Sequence, residues 1–254
     1  MITLKTPEQI ATMREGGKIL AMILQECKKF VLDTYSKREL KTIEIDHLAT
    51  KLLEENGATA AFLGYHDFPG HICVSINEEV IHGIPGERVI QEGDLVSLDF
   101  GVLYKGLITD AAISFVAGQA DPKIEELLQV TEEALMQGIA QIEAGKRIGV
   151  IGNAVETHIL PHRFGIVRDY VGHGVGLAVH EEPHVPNYGA SNSGPVMEEG
   201  LVIAIEPMVT LGTHEVFIDS DDDWTVITED GTIAAHFEHT VAITATGPVI
   251  LTLL

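Results

Sequence analysis

The stretches GDLVSLD (residues 93–99) and GLVIAIE (residues 200–206) share one pattern: a glycine, five mostly aliphatic residues, then a carboxylate, Asp99 in the first and Glu206 in the second. The segments that follow also match. Asp110 is trailed by Ile113 and Phe115 at the third and fifth steps, and Glu238 by Val241 and Ile243 at the same steps. Short aliphatic strands can look alike by coincidence. Taken as a repeat, the pattern makes two related halves, each offering two carboxylates from adjacent strands.

Working outward, strand signals cover residues 94–102, 107–116, 201–209, 224–228 and 232–244, with Asp230 and Gly231 as a hairpin turn between the last two. Helical periods lie between them. Ile10, Met13, Gly17, Leu20, Leu24, Cys27 and Val31 recur at steps of three and four behind Thr6 as cap and Pro7 at the first helical position. A second helix is expected over 42–55, although Ser36 with Glu39 offers a capping box six residues earlier. A third starts at Asp121 and Pro122 and carries its stripe through Ile142 to a Gly145 stop; a fourth spans about 149–162. The class is α/β (α+β). No Pro/Ser-rich linker divides the chain, and its 254 residues fit one large domain or two fused halves equally well.

Composition narrows the function. Sixteen Lys and Arg against 38 Asp and Glu give a net charge of −22, a field that repels phosphate backbones and anionic membranes, so neither nucleic acid nor a membrane is an expected partner. Cys27 and Cys73 are too few for a disulfide framework, and the N-terminus is too polar for a signal peptide, which together favour the cytoplasm. The acidic run HEVFIDSDDD (residues 214–223) is expected to be a solvated loop.

The anomaly is chemical. Asp99, Asp110, Glu206 and Glu238 each sit in apolar strand sequence almost empty of Lys and Arg, where an ionised group is costly to bury. Brought together without cations, some would stay protonated; divalent metal ions resolve the conflict by accepting carboxylate oxygens and an imidazole. The imidazole candidate is His173, set among Gly172, Gly174 and Gly176, which would let the backbone crowd close to whatever His173 holds. This glycine run lacks the Lys and helix-opening pattern of a phosphate loop. His180 follows seven residues on, and His82 lies in VIHGIPG.

SINEEVIHGIP around His82, LDFG and TDAA around Asp99 and Asp110, GHGVG with HEEPHVPNYG, AIEPM at Glu206 and FEHTV at Glu238 together resemble type I methionine aminopeptidases. Six motifs stand in the family order over essentially the whole chain. The resemblance implies a pita-bread fold: one catalytic domain over 1–254, with pseudo-symmetric halves of about 1–120 and 121–254 around a dinuclear metal site. It implies Asp99, Asp110, His173, Glu206 and Glu238 as ligands, with Asp110 and Glu238 bridging the ions, and His82 and His180 as substrate-contacting histidines. Glu206 would be the general base, His180 would face the carbonyl oxygen, His82 the scissile nitrogen, and a metal the free α-amine.

By the same resemblance the methionine slot would be lined by Tyr65, Phe68, Cys73 and Trp224, with Phe62 and Val179 alongside. The chain departs from the commonest bacterial pattern at the last two: Phe62 stands where a small residue is usual and Val179 where Phe is usual. A compensating exchange of bulk across the slot is expected to leave methionine accepted. Ala111 after Asp110 is a further departure, since Thr is frequent there. The family preference is for a small second residue. Co, Mn, Fe and Zn all suit the donor set. The expected partners are N-terminal methionine peptides and nascent chains, with a transient ribosome contact and a monomeric enzyme. An Xaa-Pro peptidase of the same fold, or a metal-free binding scaffold, are the alternatives.

Overall fold

In the computed structural model, which describes residues 2–254, the chain opens on a reciprocal cap. The Gln9 N–H donates to Thr6 Oγ1 while the Thr6 N–H donates to Gln9 Oε1, and Pro7 fills a position whose N–H would have had no partner. Helix α1 (Pro7–Thr34) buries Met13, Leu20, Leu24, Cys27 and Val31. Helix α2 is Thr42–Glu55, and the earlier start does not occur. Glu44, not Glu39, reaches back to the Lys41 N–H, and Arg38 clamps the same Glu44 carboxylate with two nitrogens. In helix α3 (Pro122–Ile139) the Asp121 carboxylate caps the Lys123 N–H. It stops six residues short of the expected Gly145, and Ile142 is buried from a turn instead of a helix. Helix α4 (Gly149–Ile159) runs on into a single 3-10 turn ending at His162.

The strands are β1 (Thr59–Ala60), β2 (Cys73–Ile76), β3 (Glu79–Ile81), β4 (Leu95–Tyr104), β5 (Leu107–Val116), β6 (Gly165–Ile166), β7 (Gly172–Gly174), β8 (Glu181–Val185), β9 (Val202–Ile205), β10 (Met208–Thr210), β11 (Val216–Ile218), β12 (Val226–Thr228), β13 (Ala234–His236), β14 (His239–Thr244) and β15 (Gly247–Ile250). The β4–β5 hairpin pairs unbroken from Leu95↔Val116 to Tyr104↔Leu107, and β1 and β2 also pair with β4. A five-stranded sheet runs β15-β14-β9-β7-β8; two smaller ones run β13-β10-β6 and β11-β12-β3. Helices α1 and α2 pack Leu20, Leu24 and Ile45 against Leu98 and Phe100 of β4. Leu135 and Ile139 of α3 and Ile151 of α4 meet Ile203, Ile205 and Val241 of the five-stranded sheet. Each such fully buried side chain contributes roughly 1.5–3 kcal/mol.

Two expected strands are broken. Residues 201–209 form β9 and β10 in different sheets, with Glu206 and Pro207 between them; residues 232–244 form β13 and β14, with Phe237 and Glu238 between. Pro207 has no N–H to give a ladder, and the two chains bend together because β9 pairs with β14 while β10 pairs with β13. Asp230 and Gly231 do turn the chain, with the Gly231 N–H on the Thr228 carbonyl at 3.2 Å, but they join no hairpin. β12 pairs with β11 and β3, whereas β13 pairs with β10. The acidic run is not wholly loop either: its Val216–Ile218 is β11, with Phe217 and Ile218 exposed.

The β4–β5 hairpin and the five-stranded sheet meet along a seam between β5 and the β13–β14 chain. The Asp110 N–H donates to Thr240 Oγ1 at 2.8 Å, and the Thr240 hydroxyl donates to the Asp110 carbonyl at 2.7 Å. Glu238 and Ala112 exchange backbone bonds of 2.9 and 3.3 Å. The Ser114 hydroxyl donates to the His236 carbonyl at 2.7 Å and accepts from the His236 N–H at 2.9 Å. Among the described residues no helix is long and apolar enough to cross a membrane.

Candidate active site

The seam places the four carboxylates. Asp99 and Asp110 are diagonal neighbours on one face of the β4–β5 hairpin, since Asp99 pairs with Ala112 and Gly101 with Asp110. Glu206 and Glu238 occupy the two strand breaks, where the chain leaves one sheet for another. All four are buried, and Asp99 Oδ1, Asp110 Oδ1 and Glu238 Oε1 have no hydrogen-bond partner. Ligand atoms of Asp110, His173 and Glu238 lie within 4.8 Å of one another. Among the described residues no Lys or Arg lines the cavity above them. Burial, and then the neighbouring carboxylates, push Asp99, Glu206 and Glu238 well above the usual carboxylate range, while burial lifts Asp110 to about 7. Orphaned oxygens and mutual repulsion are what a divalent cation relieves, so the donor set fits one.

His173 completes the set. Its Nδ1 is 2.9 Å from the Gly174 carbonyl, which can only accept, so Nδ1 carries the proton and the Nε2 lone pair is left free, 3.5 Å from Glu206 Oε1. Burial, then the nearby His180, pulls its pKa down to about 3, which keeps the ring neutral. The flanking glycines serve a different purpose from the expected one. A Cβ on Gly172 would lie 2.4 Å from the Ala204 carbonyl oxygen and one on Gly174 2.4 Å from that of Glu182, so it is β9 and β8 that need the space.

One cavity of about 640 Å³ gathers all thirteen residues singled out from the sequence. The His180 ring lies 4.2 Å from that of His173, centre to centre, and its Nδ1 is 2.8 Å from Tyr65 Oη. Burial, with His66 and His184 nearby, lowers its pKa. His82 holds a left-handed backbone at φ 61°, a strained conformation of the sort found at functional positions, and meets Tyr170 and Trp224 edge-on at 5.8 and 6.0 Å. Burial pulls its pKa down to about 4. On the apolar side Phe68 and Trp224 stack edge to face at 5.1 Å beside Cys73. Phe62 lies against β4 only because Gly101 has no side chain: a Cβ there would sit 2.5 Å from Phe62 Cε1.

Sequence reasoning missed Tyr170 and His184 on the cavity wall, and His236 beneath it. Tyr170 stands two residues before the GHG motif, which could have drawn attention to it. His236 is 1% exposed with neither ring nitrogen hydrogen-bonded, and its Nε2 lies 3.8 Å from Glu206 Oε2. An imidazole inside an aliphatic strand, two residues before Glu238, was its only signal.

The solved methionine aminopeptidase of Thermotoga maritima is similar over the full length of both chains, with a TM-score of 0.95 at 40% identity. The prolidase of Pyrococcus furiosus shares the fold, with a TM-score of 0.76 at 23% identity over 99% of this chain and 65% of its own. Fold and site therefore define a metallopeptidase architecture, the pita-bread fold built around a cation-binding cluster. The chain belongs to metallopeptidase family M24, whose model matches residues 11–245. It is 44% identical to methionine aminopeptidase 1 of Bacillus subtilis over 99% of both chains, and 43% identical to the methionine aminopeptidase of Clostridium acetobutylicum over 100% of this chain.

Proposed function

We propose that this chain is a methionine aminopeptidase that hydrolyses the N-terminal methionine from peptides and nascent chains, preferring a small second residue. The observation that carries the proposal is a single cavity holding the carboxylate–histidine cluster, two further histidines and an apolar slot, in a chain alike over its whole length to enzymes of that name. Xaa-Pro peptidases are disfavoured, because the solved prolidase is 23% identical over the shared fold, against 40% and 44% for the methionine aminopeptidases of Thermotoga maritima and Bacillus subtilis.

Asp99, Asp110, His173, Glu206 and Glu238 would hold two divalent cations, for which Co, Mn, Fe and Zn all qualify. When bound, the metal lowers the pKa of a water and polarises the scissile carbonyl. The rest falls to the chain. The Glu206 carboxylate accepts the proton that the attacking water gives up. His180 donates from Nε2 to the carbonyl oxygen as charge builds on it, and His82 stands by the departing nitrogen. Phe68, Cys73 and Trp224, with Tyr65, Phe62 and Val179 at their margin, hold the thioether and shut out water. The same proposal includes one catalytic domain with halves of about 1–120 and 121–254, a monomeric enzyme acting in the cytoplasm, and a transient ribosome contact that follows from nascent substrates.

The test is release of free methionine from a Met-Ala-Ser peptide by metal-reconstituted protein, beside Glu206→Gln and beside an Ala-Pro peptide. Release that Glu206→Gln abolishes, with the Ala-Pro peptide intact, is expected. Cleavage of the Ala-Pro peptide instead would change the substrate class, and cleavage of neither would leave a binding scaffold.

A further inference from the structure

The family resemblance makes Tyr65 one wall of the methionine slot. Its hydroxyl does something else: it lies 2.8 Å from His180 Nδ1, with the two rings tilted at 39° and 5.4 Å apart. We propose that Tyr65 is a positioning residue that fixes the ring orientation and the tautomer of His180, so that an Nε2–H faces the substrate carbonyl. The proposal rests on the role given above to His180.

A phenol O–H is a good donor and its oxygen a weak acceptor, whereas an unprotonated imidazole nitrogen is a strong acceptor. The bond therefore runs from Tyr65 O–H to His180 Nδ1, and the ring proton is left on Nε2. That is the tautomer oxyanion stabilisation requires, because only an N–H can bond to oxygen as it becomes negative. The opposite tautomer would turn a lone pair toward the same oxygen and repel it.

Orientation needs fixing because the backbone beneath His180 is already held. Glu181 Oε1 accepts from the Leu177 and Ala178 N–H groups at 2.6 and 3.1 Å, and its Oε2 meets Lys5 Nζ at 2.5 Å. Lys5 is in turn tied through its own N–H to the Gly200 carbonyl at 2.7 Å. What the held loop leaves free is rotation of the imidazole about its own bond, which exchanges the places of nitrogen and carbon on the ring. The Tyr65 hydroxyl removes that freedom. Tyr65 itself comes from a turn bracketed by left-handed residues, Gly64 at φ 77°, His66 at 48° and Asp67 at 69°, so its ring is delivered by a backbone with few alternatives.

Tyr65→Phe keeps the ring that lines the slot and removes only the hydroxyl. In metal-loaded enzyme on a Met-Ala-Ser peptide, kcat is expected to fall about tenfold with KM within twofold, as for loss of one hydrogen bond that matters in the transition state. In a His180→Ala background the same change is expected to do nothing further. Histidine-selective nitrogen NMR should show Nδ1 of His180 unprotonated in the parent protein and a mixture of tautomers in Tyr65→Phe. A rise in KM at constant kcat would make Tyr65 a slot wall only, and equal losses in both backgrounds would mean that it does not act through His180; either overturns the proposal. If His180→Ala leaves kcat unchanged, the role of His180 falls and takes this proposal with it, while methionine release by the parent enzyme still stands.

Discussion

Gly101→Ala probes the glycine against which the Phe62 ring rests. The backbone of Gly101 is not left-handed, so alanine brings no conformational strain; the whole effect is the added methyl. That carbon would lie 2.5 Å from Phe62 Cε1, 2.9 Å from Cδ1 and 3.1 Å from Ala61 Cβ. Carbon pairs settle at about 3.5–4.0 Å, so the ring must retreat by about 1 Å. Strand β4 cannot retreat in its place, since it is paired with β5 along its whole length and its Gly101 carbonyl accepts the Ala61 N–H at 2.8 Å. The ring turns into the open cavity and takes space from the methionine side chain. Overpacking of this kind costs about 1–3 kcal/mol, which becomes about a 5- to 150-fold loss in kcat/KM for methionine peptides. Steady-state methionine release by Gly101→Ala, and by Gly101→Ala with Phe62→Ala, reads it out: the single variant loses, and the double recovers most of the loss. A Gly101→Ala enzyme within twofold of its parent, or a loss that Phe62→Ala fails to relieve, would refute the steric account.

Lys5→Met should cost about 3–5 kcal/mol in urea unfolding of metal-loaded protein, because the Lys5 and Glu181 side chains are only 1% and 9% exposed and an unpaired carboxylate would be stranded. Adding Glu181→Gln should recover much of it, the amide oxygen still accepting from Leu177 and Ala178. Chelation should lower the melting temperature: a cation held at a hundred times its Kd contributes about 2.7 kcal/mol, or roughly 5–10 °C in a chain of this size, and a melt indifferent to chelator would contradict the cluster's role. Burial lifts the Cys27 thiol to about 12 against about 8.5 unfolded. The folded state therefore holds that proton more tightly, and the stability it lends is complete below pH 8.5 and lost as pH climbs toward 12. Cys27→Ala should flatten the alkaline limb of the melting curve, and native protein at pH 8 should resist alkylation there.

Local chemistry was legible in the sequence. Thr6 with Pro7, and Asp121 with Pro122, mark helix starts that occur where they stand, and β5 has the bounds its aliphatic pattern gives. Pairing was not. The aliphatic runs over 201–209 and 232–244 look continuous because periodicity describes which residues are apolar, not which sheet claims them; Pro207 was the available sign of a break. Asp230 and Gly231 turn the chain but make no hairpin, because their arms go to different sheets, a choice made by partners far away in sequence. The candidate ligands could be listed because carboxylates in cation-poor strands are anomalous by themselves. The bond from Tyr65 to His180 spans 115 residues and leaves no local mark, and Gly101 gave no hint that it makes room for Phe62.

The β5–β14 seam sets an order of events in time. Asp110 and Thr240 are 130 residues apart, and contacts of that span are the slowest a chain makes, since a long loop must close before anything rewards it. The packing of α1 and α2 on the β4–β5 hairpin, and of α3 and α4 on the five-stranded sheet, is expected to come first, with the carboxylates converging only as the two sheets meet. Cation capture is then the closing step, a latch on a finished molecule instead of a nucleus for an unfinished one. Added metal should leave the refolding rate alone and slow unfolding, so it lengthens the life of the native state without hastening its birth.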